Sequence, residues 1–263
     1  DRTDHPHHVG IWFNYGDVNG LDFWNNSEAR PKEDSHLYGN IQHVSVEKAV
    51  GGEGSGNLST RSLWLSPVGE TLLNEKSSFN FYAKDQLRII DRSTTLVSMV
   101  DTVLFRDNKE GLFAIRVARE LELPSQGVTQ LIDSHGNITE VENSENNLVK
   151  GNYRSSDGLT GEKVWGTRSK WMKLSSEING EPVSVVIIDH PSNPGYPTYW
   201  HARGYGLFSA NNLGQSVFSK GVNELNFQLA KGESVEFKHR LVVVTGECSD
   251  QMINQLADQF SLL

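Results

Sequence analysis

Seven segments of this chain carry the marks of β-structure, and only one carries those of a helix. The stretches at 39–50, 77–83, 87–105, 112–123, 182–189, 223–229 and 234–246 are rich in β-branched or aromatic residues. They alternate with period two and stop at Gly, Asn, Asp or Pro. In the last, SVEFKHRLVVVTG, Val235, Phe237, His239, Leu241 and Val243 share one face, which predicts a half-buried strand. No long helical pattern separates these segments, so parallel βαβ units are disfavoured and an all-β, antiparallel β-sandwich is expected. The helix is predicted over 249–260, where Ser249 or Asp250 caps SDQMINQLADQF and Met252, Ile253, Leu256 and Phe260 fall on one side. With 263 residues, no internal repeat and no linker, one domain over 1–263 is expected. Plain solvated loops are predicted at 51–57 and 134–147, and a proline-stiffened loop at 190–200.

Charge and motif content narrow the partners. Lys and Arg number 24 against 33 Asp and Glu, a formal charge of −9 with no basic face, which disfavours nucleic acid and anionic membranes. No apolar run is long enough to cross a membrane as a helix. The single cysteine, Cys248, excludes an intrachain disulfide and disfavours a thiolate site. Walker, GxGxxG, GxSxG and HExxH patterns are all absent, so no cofactor is expected.

Chemistry-bearing residues cluster in two places. DHPHHVGIWFNYGDVNGLDFW, at 4–24, holds three histidines, carboxylates and aromatics together. Pro6 favours an extended backbone that projects His5 and His7 to one side and His8 to the other. Paired imidazoles can bind a metal or move a proton, or simply pack in a core. No ligand spacing completes a metal site, so none is expected. Asn14, Asp17 and Asn19 suit a turn, whereas Asp22 beside Phe23 and Trp24 suits either a sugar contact or core packing. In WHARGYGLFSANN, at 200–212, His201, Arg203 and Tyr205 alternate and would point the same way on an extended strand as an acid, base and anion clamp. DHPSNP at 189–194 reads as a strand end and a turn whose Asp189 and His190 could orient a neighbour. WGTRSKW at 165–171 and DNKEGLFAIR at 107–116 read as turn and ion-pair chemistry, and His43, Glu75 and Arg61 as isolated polar groups.

In order along the chain, DHPHH.G.WF..GDVNG.DFW, DNKEG....R, VWG.R..W, DHP.NP and W..R.YGLF..N resemble the bacterial PmoA-like family, DUF6807, from Asp4 to about Gly246. The resemblance implies a galactose-mutarotase-like supersandwich and a place among proteins of polysaccharide breakdown. Some relatives look like dehydratases of uronate-terminated algal oligosaccharides such as those of ulvan. Two positions depart from the expected pattern: Gly204 replaces an Asp before Tyr205, and Lys76 replaces an Arg after Glu75.

The implied reaction is elimination of water from a terminal uronate. It requires a cation on the carboxylate, a base for the C5 proton and an acid for the departing 4-hydroxyl. Arg203 is the expected clamp with Arg168 second, and His7, His201 and Tyr205 are the proton carriers with their roles open. Trp24 and Trp200 are the expected sugar platforms, and Asn14, Asp22 and His43 the hydroxyl contacts. An acidic oligosaccharide is therefore the expected partner, and an exported, periplasmic location is expected from the family context. The alternatives are an epimerase or hydrolase relying on Asp17, Asp22 or Glu75, and a non-catalytic sugar-binding module using the tryptophans alone.

Overall fold

The computed structural model describes residues 3, 7–27, 30–142 and 149–263. Sixteen strands are formed among them. In chain order these are β1 (Ile11–Tyr15), β2 (Asn40–Gly52), β3 (Ser55–Leu65), β4 (Thr71–Lys84), β5 (Leu87–Ser98), β6 (Thr102–Phe105), β7 (Gly111–Arg116) and β8 (Val128–Ile132). They continue with β9 (Ile138–Glu142), β10 (Asn152–Ser155), β11 (Trp171–Ile178), β12 (Glu181–Asp189), β13 (Tyr199–Ala202), β14 (Leu207–Asn211), β15 (Phe227–Ala230) and β16 (Ser234–Thr245). Two helices, α1 (Gln215–Phe218) and α2 (Asp250–Phe260), complete the order.

The expected antiparallel sandwich is what these strands build. An eight-stranded sheet runs β10-β11-β12-β16-β5-β4-β3-β2, and a four-stranded sheet runs β1-β7-β14-β13; the pairs β15-β6 and β8-β9 stand apart. Every named strand pair is antiparallel. One apolar cluster lies between the two larger sheets. It takes Phe13, Phe113, Trp200 and Phe208 from the small sheet and Trp64, Leu96, Ile187, Phe237 and Leu241 from the large one.

The predicted face of β16 does meet this core, through Phe237, His239 and Leu241. The strand is not half buried, however, because Arg240, Val242 and Val244 on its other face are buried as well. The cover is α2, whose Ile253, Leu256 and Phe260 pack on Trp171, Val186, Ile188 and Val242. Ser249 caps the helix by accepting from the Met252 N–H at 3.2 Å. Arg240 ties it down, donating to both carboxylate oxygens of Asp91 at 2.6 and 2.7 Å and to the Leu256 carbonyl at 2.9 Å.

Two predicted loops are structured. The segment at 51–57 is the tip of the β2-β3 hairpin, with pairing reaching Gly52 and Ser55. Within 134–147, Ile138–Glu142 is a strand paired with β8, and residues 143–147 fall outside the described set. Alternation in ITEVE is real but short, and turn residues before it mask the signal.

The sheets are joined by a buried polar junction. Asp189, at the end of β12, accepts hydrogen bonds from Asn193 and Asn212 side-chain amides at 2.7 and 3.0 Å and from the Thr198 N–H at 2.8 Å. Asn212 accepts in turn from Nε2 of His239 at 3.0 Å, and the His239 ring lies flat on Phe113, 4.9 Å between centroids. Burial pushes the Asp189 carboxyl up to about 7 even though the hydrogen bonds from Asn212 and Asn193 pull the other way. Burial, helped by Arg92, pushes the His239 imidazole down to about 3.

A carboxyl raised in the folded state holds its proton where the unfolded chain has already released it, so its contribution to stability falls as pH rises from about 4 to about 7. The stability of the parent minus that of Asp189→Asn, measured by urea unfolding across this range, should therefore decline with pH and level off above 7. A difference that grows with pH would mark an ordinary ion-paired carboxylate instead.

Candidate functional site

The small sheet turns one face to the core and the other outward. Strand register places Trp12, Ala114, Ser209 and His201 in one row across β1, β7, β14 and β13 on the outer face. The core face carries Phe13, Phe113, Ala210 and Trp200. Three strand spacings separate the ends of the outer row, about 14 Å. Small residues occupy its middle, and ring-bearing or charged residues gather at both ends.

At one end, His8 is buried and stacks on Trp12, 5.2 Å between centroids and 17° from parallel. The ring of His7 lies 4.3 Å from that of His8, so His7 joins the face by way of its neighbour. Trp24 meets His8 and Trp12 edge-on and packs with Ala114 and Leu207, and Tyr205 lies against the same group. At the other end, His201 is 2% exposed and its Nδ1 lies 3.6 Å from Oε2 of Glu110. Oε1 of the same carboxylate takes Lys109 at 2.8 Å. The Trp165 ring stands edge-on to His201 at 6.5 Å, and the guanidinium of Arg203 lies 4.5 Å above the Trp165 ring centroid.

Arg203 and Tyr205 do not continue the strand of His201, as the sequence suggested. β13 ends at Ala202, and the Arg203 N–H closes a turn on the Leu207 carbonyl at 2.8 Å. Gly206 makes that turn at φ +93°, a conformation L side chains rarely adopt. The Tyr153 hydroxyl donates to the Arg203 and Leu207 carbonyls from below. Burial pushes that phenol up, and Tyr205, Arg116 and Glu122 are its titratable neighbours. Arg116 and Glu122 themselves pair at 3.5 Å. The turn therefore carries Arg203 toward Trp165, which His201 also meets, and Tyr205 toward the group around Trp24.

Several expected contacts are structural instead. Trp200 is 0% exposed, faces the core and donates from Nε1 to the Ser169 hydroxyl at 2.7 Å, so it offers no platform. Trp24, 2% exposed, is equally unavailable as a flat surface. Asp22 spends Oδ1 on the Trp24 and Asn25 N–H groups and Oδ2 on the Asn25 amide, which makes it a turn residue. Arg168 gives Nε and Nη2 to the carbonyls of Pro197, Gly195 and Tyr196 and lies over the Tyr199 ring, holding the proline loop rather than a ligand. His43 is exposed on the edge strand β2 and, among the described residues, forms no hydrogen bond or ion pair with the group around His201. Glu75 is buried with Arg92, Ser77 and Trp64, and Asp17 holds Arg106 and the Gly20 N–H. Lys76 sits on the sheet's opposite face beside Glu47.

Asn14 lies on the outer face, with a buried Oδ1 that has no hydrogen-bond partner among the described residues. His5 lies outside the described residues. No cluster of three or more metal-binding side chains occurs among the described ones. Two residues that the sequence assigns to turn and ion-pair motifs join the site: Glu110, set on the turn whose Asn108 Oδ1 accepts from its N–H, and Trp165, presented by a 3₁₀ turn at Gly161–Val164. Their motifs, DNKEG and VWG, are visible in the sequence, but nothing in their spacing distinguishes a site from a turn.

Comparison with known proteins gives the family. A model described as "Family of unknown function (DUF6807)" matches residues 1–258. The chain belongs to DUF6807. No match to a curated protein is found. Among solved structures, this DUF6807 chain overlaps a GH36 α-galactosidase, AgaB, from Geobacillus stearothermophilus with TM-score 0.37 and 11% identity. The overlap covers 86% of the chain and 31% of the galactosidase. A putative aldose 1-epimerase from Escherichia coli K12 overlaps with TM-score 0.35 and 12% identity, over 91% of this chain and 82% of that one. The DUF6807 chain thus spans about a third of the AgaB chain, and both likenesses are too distant to bring an activity with them.

The assignment of Arg168 to the loop is testable. Arg168→Ala should lower unfolding free energy by about 1–3 kcal/mol, the cost of leaving buried carbonyls without donors, as read by urea unfolding. A loss of ligand affinity at unchanged stability would contradict it.

Proposed function

We propose that this protein is a carbohydrate-active lyase that removes water from the terminal uronic acid of an acidic oligosaccharide. The observation that carries this reading is Arg203, which is half exposed, has no carboxylate within ion-pair distance among the described residues, and lies one tryptophan away from the His201–Glu110 pair. An arginine with no carboxylate on it among the described residues, near an imidazole and its carboxylate and on the same turn as a phenol, is what uronate elimination asks for.

The C5 proton of a uronate is too weakly acidic to be lost while the adjacent carboxylate carries its full charge. Arg203, donating through two parallel N–H bonds, would offset that charge and the further charge that builds as the proton leaves. The electron pair of the C5–H bond becomes the C4=C5 double bond, and the C4–O bond breaks. The 4-hydroxyl departs as water once an acid has protonated it. His201 and Tyr205 are the proton carriers at hand, and Glu110 beside Nδ1 of His201 stabilises the imidazolium when it forms. His7 and Asn14 lie on the same face for contacts to the sugar hydroxyls.

The hydrolase alternative is weakened on its own terms, because Asp17, Asp22 and Glu75 are all committed to hydrogen bonds and ion pairs that hold the fold.

Incubation with a panel of uronate-terminated oligosaccharides should give ultraviolet absorbance from an unsaturated uronate and a product lighter by one water. Arg203→Ala should lower kcat/KM by about 100-fold or more. His201→Gln and Tyr205→Phe should each lower it by about 10²–10⁴-fold. Products without a double bond, or full activity in Arg203→Ala, would overturn the reading.

A further inference from the structure

Trp165 combines two features that the packing alone does not require. One face of its ring is covered by the Arg203 guanidinium, 4.5 Å from the centroid, and its Nε1 is buried with no hydrogen-bond partner among the described residues. Beside the pair lies a cavity of about 190 Å³, walled by Leu123, Tyr153, Glu162, Ala202 and the Gly204 backbone. A half-buried indole with an unsatisfied donor, next to room for one sugar ring, is the kind of platform on which a pyranose stacks. Here that platform is occupied by the protein's own cation.

We propose that Arg203 on Trp165 is an anion-dependent gate, with Trp165 as the sugar platform and the gate selecting uronates over neutral sugars. This rests on the uronate reading of the same site. A neutral sugar that seeks the indole face must displace the guanidinium, break its contact with the ring and give it nothing in return. A uronate brings a carboxylate that draws the guanidinium off the ring into a bidentate pair, so the platform opens at little net cost. Arginine suits both positions, since its planar fork stacks on an aromatic ring and also matches a carboxylate edge to edge. Glu162 on the cavity wall sharpens the choice by repelling an anion that Arg203 has not clamped. Nε1 of Trp165 then gains a sugar oxygen as its acceptor. Selectivity arises here from a contact that the wrong ligand must break as well as one that the right ligand makes.

The test is calorimetric titration of the full chain with a uronate-terminated disaccharide and its glucose-terminated counterpart, with tryptophan emission followed in parallel. The parent should bind the uronate at least tenfold more tightly. Arg203→Ala should bring the two affinities within about threefold by weakening the uronate and tightening the neutral sugar. Trp165→Phe, which keeps an aromatic ring, should abolish the emission change that the uronate causes. If Arg203→Ala loses affinity for the uronate without tightening the neutral sugar, the gate is wrong while the uronate reading stands; if it weakens both sugars alike or keeps the parent's preference, Arg203 is not the carboxylate clamp and both fail. If the parent has no preference for the uronate, that reading fails and the gate with it.

Discussion

The carboxylate of Asp189 sits where four parts of the chain meet. It ends a strand of the large sheet and accepts from the loop that follows, through Asn193 and Thr198, and from the small sheet, through Asn212. Asn212 passes the connection to His239, which lies flat on Phe113 between the sheets. Without these bonds the buried carboxylate would have no compensation for its lost water. With them, one acidic group fixes how the small sheet is carried by the large one. The position of β13 and β14 follows from it, because Thr198 precedes the first and Asn212 follows the second.

That anchoring decides what the outer face can present. His201 and Ser209 are held in register by β13 and β14, while Arg203 and Tyr205 ride on the short turn between them. Arg168 locks the other end of β13 by binding three successive carbonyls of the proline loop. The site thus draws His201 and Ser209 from paired strands and Arg203 and Tyr205 from the turn between them. Glu110 arrives from the adjacent β7 side, on a turn fixed by Asn108 and Tyr15. Positioning of this kind is what the proposed elimination needs, since its acid and base must lie within reach of the same substrate atoms.

Much of the fold was legible in the residues. Period-two alternation gave β2, β4, β5, β12 and β16 of the large sheet but not β3, β10 or β11, and the Ser249 cap with its apolar stripe gave α2. What alternation cannot tell is whether a strand's second face is bare or covered: it predicts a half-buried β16, whereas α2 covers Val242 and Val244. The site was legible by composition more than by geometry. His201 and Arg203 meet at Trp165, but Arg203 and Tyr205 ride a hairpin turn instead of a strand, a difference hidden in the glycines that flank Tyr205, and His7 and Tyr205 lie toward the Trp12 and Trp24 end of the row. Trp24, Trp200, Asp22 and Arg168 looked available because a sequence shows polar and aromatic character but not what a side chain is already bonded to. Glu110 and Trp165 were missed for the converse reason: their motifs read as ordinary turns, and only packing brings them to His201.

The claim on which the rest stands is that the outer face of the small sheet, around Arg203, Trp165 and His201, receives the sugar. A larger apolar groove of about 660 Å³ exists elsewhere, at the β2-β3 hairpin tip beside Phe81, Tyr82 and Ile90. A crystal structure of the protein with a bound uronate-terminated oligosaccharide separates the two directly. The account predicts the terminal carboxylate on the Arg203 guanidinium and the sugar ring against Trp165. A sugar seated at the hairpin tip, or one that leaves Arg203 resting on Trp165, would contradict it.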